Sequence, residues 1–215
     1  MRIVFIIIFI IVCRNVFSQI STKQSKTIYL VEEYLISLNR TEQENDINEQ
    51  GATGFGFGLF HLFSVDPSAD LVLGTEFNKT MYLSDYLKSG FVYYGNADLK
   101  YNINRLSIPL GVRYYFGDRV KVFFEIGSFL DINLKSTRKG YGYNYLSGDI
   151  EKIEEEIDIP TSLGIYVSLG SEFDISNLKF VIKPEYRALS EVLRSNELYF
   201  HRNYYRVSVG ISINR

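Results

Sequence analysis

Tryptophan is absent from these 215 residues, proline occurs four times, histidine twice and cysteine once. Each scarcity removes a class of protein. The single cysteine, Cys13, permits no intrachain disulfide, no paired-thiol redox motif and no cysteine-based zinc site. His61 and His201 stand far apart and match neither HExxH nor any other metal-ligand spacing, so a zinc centre is not expected. After Val12 no stretch approaches the roughly 18 consecutive apolar residues that mark a membrane-spanning helix. Lysine and arginine number 23 against 25 aspartate and glutamate. That near balance leaves no broad basic field for nucleic acid.

The abundant residues are 17 tyrosines, 16 phenylalanines and 16 glycines, a composition that suits strands and tight turns better than helices. The amino terminus differs from the rest. Met1-Arg2 precedes an apolar run from Ile3 to Val12, then Cys13 to Gln19 with Val16 and Ser18 at the positions read by a processing peptidase. This describes a secretory signal peptide over residues 1–18, leaving residues 19–215 as one domain. The run is too short to span a bilayer as a helix. Bulky Val12 before Cys13 argues against lipoprotein processing.

Beyond the leader the dominant signal is alternation with a period of two. Leu106, Ile108, Leu110, Val112, Tyr114 and Phe116 oppose Ser107, Pro109, Gly111, Arg113 and Tyr115. After the turn at Gly117-Asp118-Arg119, Val120, Val122, Phe124, Ile126, Leu130, Ile132 and Leu134 oppose Lys121, Phe123, Glu125, Gly127, Phe129, Asp131 and Asn133. Similar runs cover residues 54–63, 70–82, 161–173, 178–189 and 204–213. Residues 27–38 fit a first strand, but Glu32-Glu33 breaks the rhythm and leaves a short helix as an alternative. The connections run long, short, long, short, long, short, long. Eight antiparallel strands with every second connection tight predict an all-β, up-and-down transmembrane barrel, with short turns in the periplasm and long loops outside.

Alternation alone does not say which face is outside. A soluble periplasmic lipocalin-like barrel with an apolar ligand would put the apolar set inside, whereas an outer-membrane barrel puts it against lipid. Three features favour lipid. The polar set mixes glycines with large residues, as a narrow eight-stranded interior requires. It carries charges of both signs (Glu76, Arg105, Arg113, Lys121, Glu125, Asp131, Glu172, Lys183, Glu185, Arg187 and Arg206) that can pair inside a lumen. Aromatic clusters at strand ends, Tyr93-Tyr94, Tyr114-Tyr115-Phe116, Tyr199-Phe200 and Tyr204-Tyr205, suit interfacial girdles.

The run Leu106 to Phe116 (LSIPLGVRYYF), with Phe124-Glu125-Ile126-Gly127-Ser128 after it, resembles two strands of the PorT-like outer-membrane β-barrel family of Bacteroidota. Residues 161–173 and 178–189 are similar to its next two strands. The resemblance implies an eight-stranded barrel in the cell outer membrane; some members assist protein secretion. Ile213-Asn214-Arg215 departs from the aromatic ending common among such barrels.

No catalytic, cofactor-binding or metal-binding residue is expected. Gly54-Phe55-Gly56-Phe57-Gly58 alternates strictly and lacks GK[ST], so it is a strand and not a phosphate loop. His201, near Ser190 and Ser195, is the one place where a rim hydrolase could sit, and a solvated loop histidine is the plainer reading. The acidic run Asp149–Asp158 lacks EF-hand spacing and is expected in the longest loop, residues 136–159, with a helical turn or two. Within that loop Tyr141, Tyr143 and Tyr145 alternate, which suggests that the partner of the fifth strand extends beyond the bilayer. The leading expectation is a small non-enzymatic outer-membrane protein with a structural or interaction role. It would be accessory to protein secretion or envelope assembly, with outer-membrane lipid and envelope or secretion proteins as partners and no nucleic acid.

Overall fold

The structure, a computed structural model, describes residues 24–35, 40–42, 45–47, 49–84, 98–117, 121–143, 147–159, 161–175, 178–189 and 203–214. The expected leader, residues 1–18, lies outside them. In chain order the strands are β1 (Gln24–Leu35), β2 (Arg40–Glu42), β3 (Asn45–Ile47), β4 (Glu49–Asp66), β5 (Ala69–Ser84), β6 (Asp98–Phe116), β7 (Lys121–Tyr143), β8 (Ile150–Ile157), β9 (Ser162–Ile175), β10 (Leu178–Leu189) and β11 (Asn203–Asn214). Eight of them close a ring: β1-β4-β5-β6-β7-β9-β10-β11, with β11 returning to β1. Closure satisfies the backbone of every wall strand within the sheet, the condition for crossing hydrocarbon without water.

Following the paired residues once around shows the stagger. Ser25 pairs Leu62, then Val72, Gly111, Gly127, Tyr166, Arg187 and Tyr204, and the path re-enters β1 at Leu35. A ten-residue offset over eight strands tilts them by about 40°. Residues 27–38, ambiguous in the sequence, begin inside β1: Tyr29 pairs Gly58 on one side and Gly210 on the other. A helix there would leave both neighbours with open edges.

The tight turn between β4 and β5 lies where expected. At Asp66-Pro67-Ser68 the Asp66 carboxylate accepts from the Ser68 backbone N–H at 2.6 Å and from its hydroxyl at 2.7 Å. That local bond stabilises the reversal. Gly117 ends β6 at φ 81°, a conformation that side chains with a Cβ rarely adopt.

One expectation is corrected. Residues 136–159 are not a loop with helical turns. β7 continues to Tyr143 and β8 pairs back along it, Arg138 opposite Glu155 and Lys139 opposite Glu154. An acidic run opposite a basic one gains from direct cross-strand contacts, and a solitary helix of that length has little to hold it. With β5 and β6 these strands form a sheet that rises past the closed ring.

Candidate functional site

The wall places the apolar set outward. Ile28, Leu30, Phe55, Phe57, Leu59, Ile126, Ile165, Leu169, Val209 and Ile211 are exposed. The charged set points in and is buried: Arg113, Glu125, Lys183 and Arg187 are all but closed to solvent. A soluble barrel holding an apolar ligand is therefore the wrong reading of the alternation.

Inside, the charges form one chain of contacts. Glu172 accepts from Arg113 at 2.9 Å, and Arg113 also bonds Glu125 at 2.8 Å. Lys183 sits between Glu125 (3.1 Å) and Glu185 (2.9 Å). Glu185 pairs with Arg187 and Arg206, and both of these reach Glu76, at 2.9 and 2.7 Å. Farther out, Arg105 meets Asp131 at 3.2 Å. Such a network is required because a lone ion at these positions would lack any solvent to replace its hydration.

Aromatic rings pack the rest. The Arg113 guanidinium lies 3.9 Å from the Phe123 centroid, Arg187 lies 4.6 Å from Phe129, and the Lys183 ammonium faces Phe60 at 4.8 Å. The glycines make this possible. A Cβ on Gly111 would come 2.3 Å from the Tyr166 hydroxyl, and one on Gly170 would come 2.2 Å from the Phe123 ring.

The interior charges named from the sequence all lie in the lumen except Lys121, which is exposed at the rim where the tight turns lie, with its ammonium 5.5 Å from the Tyr115 ring. Other placements were missed. Leu62, Val72 and Val181 join Tyr29, Phe60 and Phe123 in a buried apolar cluster inside the ring. The aromatic girdle also splits: Tyr114 and Tyr205 face out, but Tyr115 donates inward to Asp70 at 2.8 Å and Tyr204 to Asp131 at 3.2 Å. Adjacent residues of a regular strand point to opposite faces, so two neighbouring aromatics cannot both join the girdle. Tyr93-Tyr94 and Tyr199-Phe200 lie outside the described residues, as do Ser190, Ser195 and His201. His61 is on the outward face of β4, its ring stacked near Phe63 at 6.3 Å, away from the lumen charges.

The second charged region is the rising sheet. Lys135 pairs with Glu156 at 2.6 Å, Arg138 with Glu155, and Glu154 receives both Lys139 and Lys152. Hydrogen bonds from Lys139 and Lys152 hold the Glu154 carboxyl down at about 2, and Lys135 lowers that of Glu156. Among the described residues no cluster of His, Cys, Asp and Glu is arranged to hold a metal ion.

The family model for the outer membrane protein beta-barrel domain matches residues 24–214. The chain belongs to that family. Its place is the outer membrane, and the exposed apolar wall is the surface that meets lipid. Among solved structures it is similar to the outer membrane protein OprG from Pseudomonas aeruginosa, with TM-score 0.52 at 11% identity, covering 91% of this chain and 97% of that one. It is also similar to Neisserial surface protein A, with TM-score 0.46 at 14% identity, covering 91% and 98%. The Yersinia pestis attachment invasion locus protein Ail, solved with the heparin analogue sucrose octasulfate, gives 0.43 at 11% identity, covering 89% and 98%. At these identities the likeness concerns the fold alone. No curated protein matches the chain.

Proposed function

We propose that this family member is a non-enzymatic barrel of PorT-like kinship, exported by residues 1–18, whose work is done by the strands and loops outside the membrane. It presents the β7–β8 hairpin and the connections beside it to envelope or secretion proteins, as an accessory to secretion or envelope assembly. The observation that carries this reading is the lumen: its buried carboxylates are engaged by arginine and lysine, and the ions are walled by aromatic rings. Charges so committed have a structural use, which leaves the ion-laddered hairpin as the part able to meet a partner. Native envelopes carrying the full chain, or a chain with residues 137–156 replaced by a short turn, test this by cross-linking and capture. The expected result is partners captured by the full chain and lost with the hairpin, while both barrels still shift on an unheated gel. Equal capture by both would sink the proposal.

A further inference from the structure

We propose that the outward face of β5–β7, at the outer edge of the apolar belt, binds the phosphate of an anionic membrane lipid through Lys79 and Lys135. The two lysines flank Asn104 in one row of paired residues, Lys79 opposite Asn104 and Asn104 opposite Lys135. Just below, Phe77 pairs Leu106 and Leu106 pairs Ile132, the last apolar row on this wall. Two residues along a strand tilted by about 40° rise about 5 Å, so the lysines stand where hydrocarbon gives way to headgroups. Two strand spacings separate them by about 10 Å at the backbone, a gap that two long flexible side chains close around one phosphate.

An irregularity of β7 puts Lys135 there. The pairing passes from Arg105–Asn133 to Asn104–Lys135, so Leu134 is an extra residue, a β-bulge. Leu134 and Lys135 are consequently both exposed although they are neighbours in sequence. One offers an apolar side chain to the acyl region and the next an ammonium to the headgroup. The Asn104 amide donates to the Lys135 carbonyl at 3.2 Å and pins the bulge.

Among the described residues, the outward positions nearest this level on the neighbouring strands are Thr53, Thr161 and Leu163, none of them lysine or arginine. Lys79 has no ionic partner among the described residues. Lys135 has Glu156, but the pair is 61% and 68% exposed, and so weak enough for a phosphate to displace the carboxylate.

The test uses the full protein in nanodiscs of phosphatidylcholine doped with phosphatidic acid, released and weighed by native mass spectrometry. Wild type is expected to retain phosphatidic acid in preference to phosphatidylcholine. Each lysine near an anionic surface contributes about fivefold, so K79A/K135A should lose retention by roughly 25-fold. K79R/K135R should keep it, and K152A, on the hairpin above, should match wild type. Undiminished retention by K79A/K135A, or no lipid preference in wild type, overturns the proposal. So does full displacement of phosphatidic acid by inorganic phosphate, which would mark a free-anion site. Gel mobility before heating checks the fold; if the double variant fails it, K79A and K135A separately carry the test at about fivefold each.

Discussion

Strand β6 passes through two environments, and its faces exchange roles between them. From Arg105 to Phe116 the inward residues include Ser107, Gly111 and Arg113, and the outward ones are Leu106, Ile108, Leu110 and Val112. From Asp98 to Asn104 the inward residues are Leu99, Tyr101 and Ile103, all buried, while Lys100 is exposed on the other side. Ile153 of β8 is buried on the same inward side, and the ion pairs of Lys135, Lys139 and Lys152 lie outside it. In the wall, ions are inside and apolar groups outside; in the rising sheet the order is that of a soluble protein. What differs is the solvent. Hydrocarbon rewards apolar groups outside, and water rewards them inside. The backbone of β6 needs no break to make the change, whereas β7 uses the Leu134 bulge.

The comparison can be broken at its strongest point first. Gly127→Arg should abolish barrel assembly, because even a Cβ there would lie 2.3 Å from the Leu110 carbonyl and 2.7 Å from the Tyr166 ring. Failure to shift on an unheated gel checks this, and normal insertion would mean that the facing is misassigned. Removing one ion from the lumen comes next. Arg187→Ala leaves Glu76 and Glu185 short of a partner where no solvent reaches and should destabilise by about 3–5 kcal/mol in urea titrations in lipid. Lys139→Ala in the rising sheet should leave the unfolding midpoint unchanged, since its partner stays hydrated.

Charging the outer surface tests the same boundary from the other side. Leu59→Arg, midway along the lipid face of β4, should lose about 2–4 kcal/mol, and Tyr141→Arg, outward on the rising sheet, about 0.5 kcal/mol or less. Equal losses would contradict the placement of the boundary. The smallest effect is one of pH. Glu154 has a folded pKa of about 2, below its ordinary value of about 4.3. Its contribution is therefore complete above the ordinary value and is lost as pH falls toward the folded one. Carbon-13 NMR of the Glu154 carboxyl should show the depressed midpoint, and K139A/K152A should return it to the usual range.

Legibility followed the physics of alternation. The hairpin around Gly117 and the pairing of Arg113 with Glu125 could be read because a period of two, held over many residues, leaves one facing pattern that buries charges of balanced sign. Of the hairpin of β7 and β8, the alternation of Tyr141 and Tyr143 points to a strand beyond the bilayer, and β7 does run to Tyr143. The return strand β8 could not be read, because its residues carry no long alternation and what makes them a strand is the charge opposite each of them across the turn. Along β6 the apolar phase changes near Leu106 from odd to even positions, so the alternation that marks the wall is clear only from there on. The same change marks the water boundary. The apolar cluster of Leu62, Val72 and Val181 was missed because single apolar residues at polar-phase positions look like noise until their neighbours on other strands are known.

By itself the sequence determined that the chain makes strands, how many cross, which ends are tight and that both charge signs share one face. These depend on periodicity and on turn residues close together in the chain. Only the tertiary structure decided which ions meet, that Tyr166 occupies the space left by Gly111, that β8 folds back on β7 and that Lys79 and Lys135 share a row. Those outcomes depend on a ten-residue stagger around a closed ring, a distance relation between residues far apart in sequence that no local pattern carries.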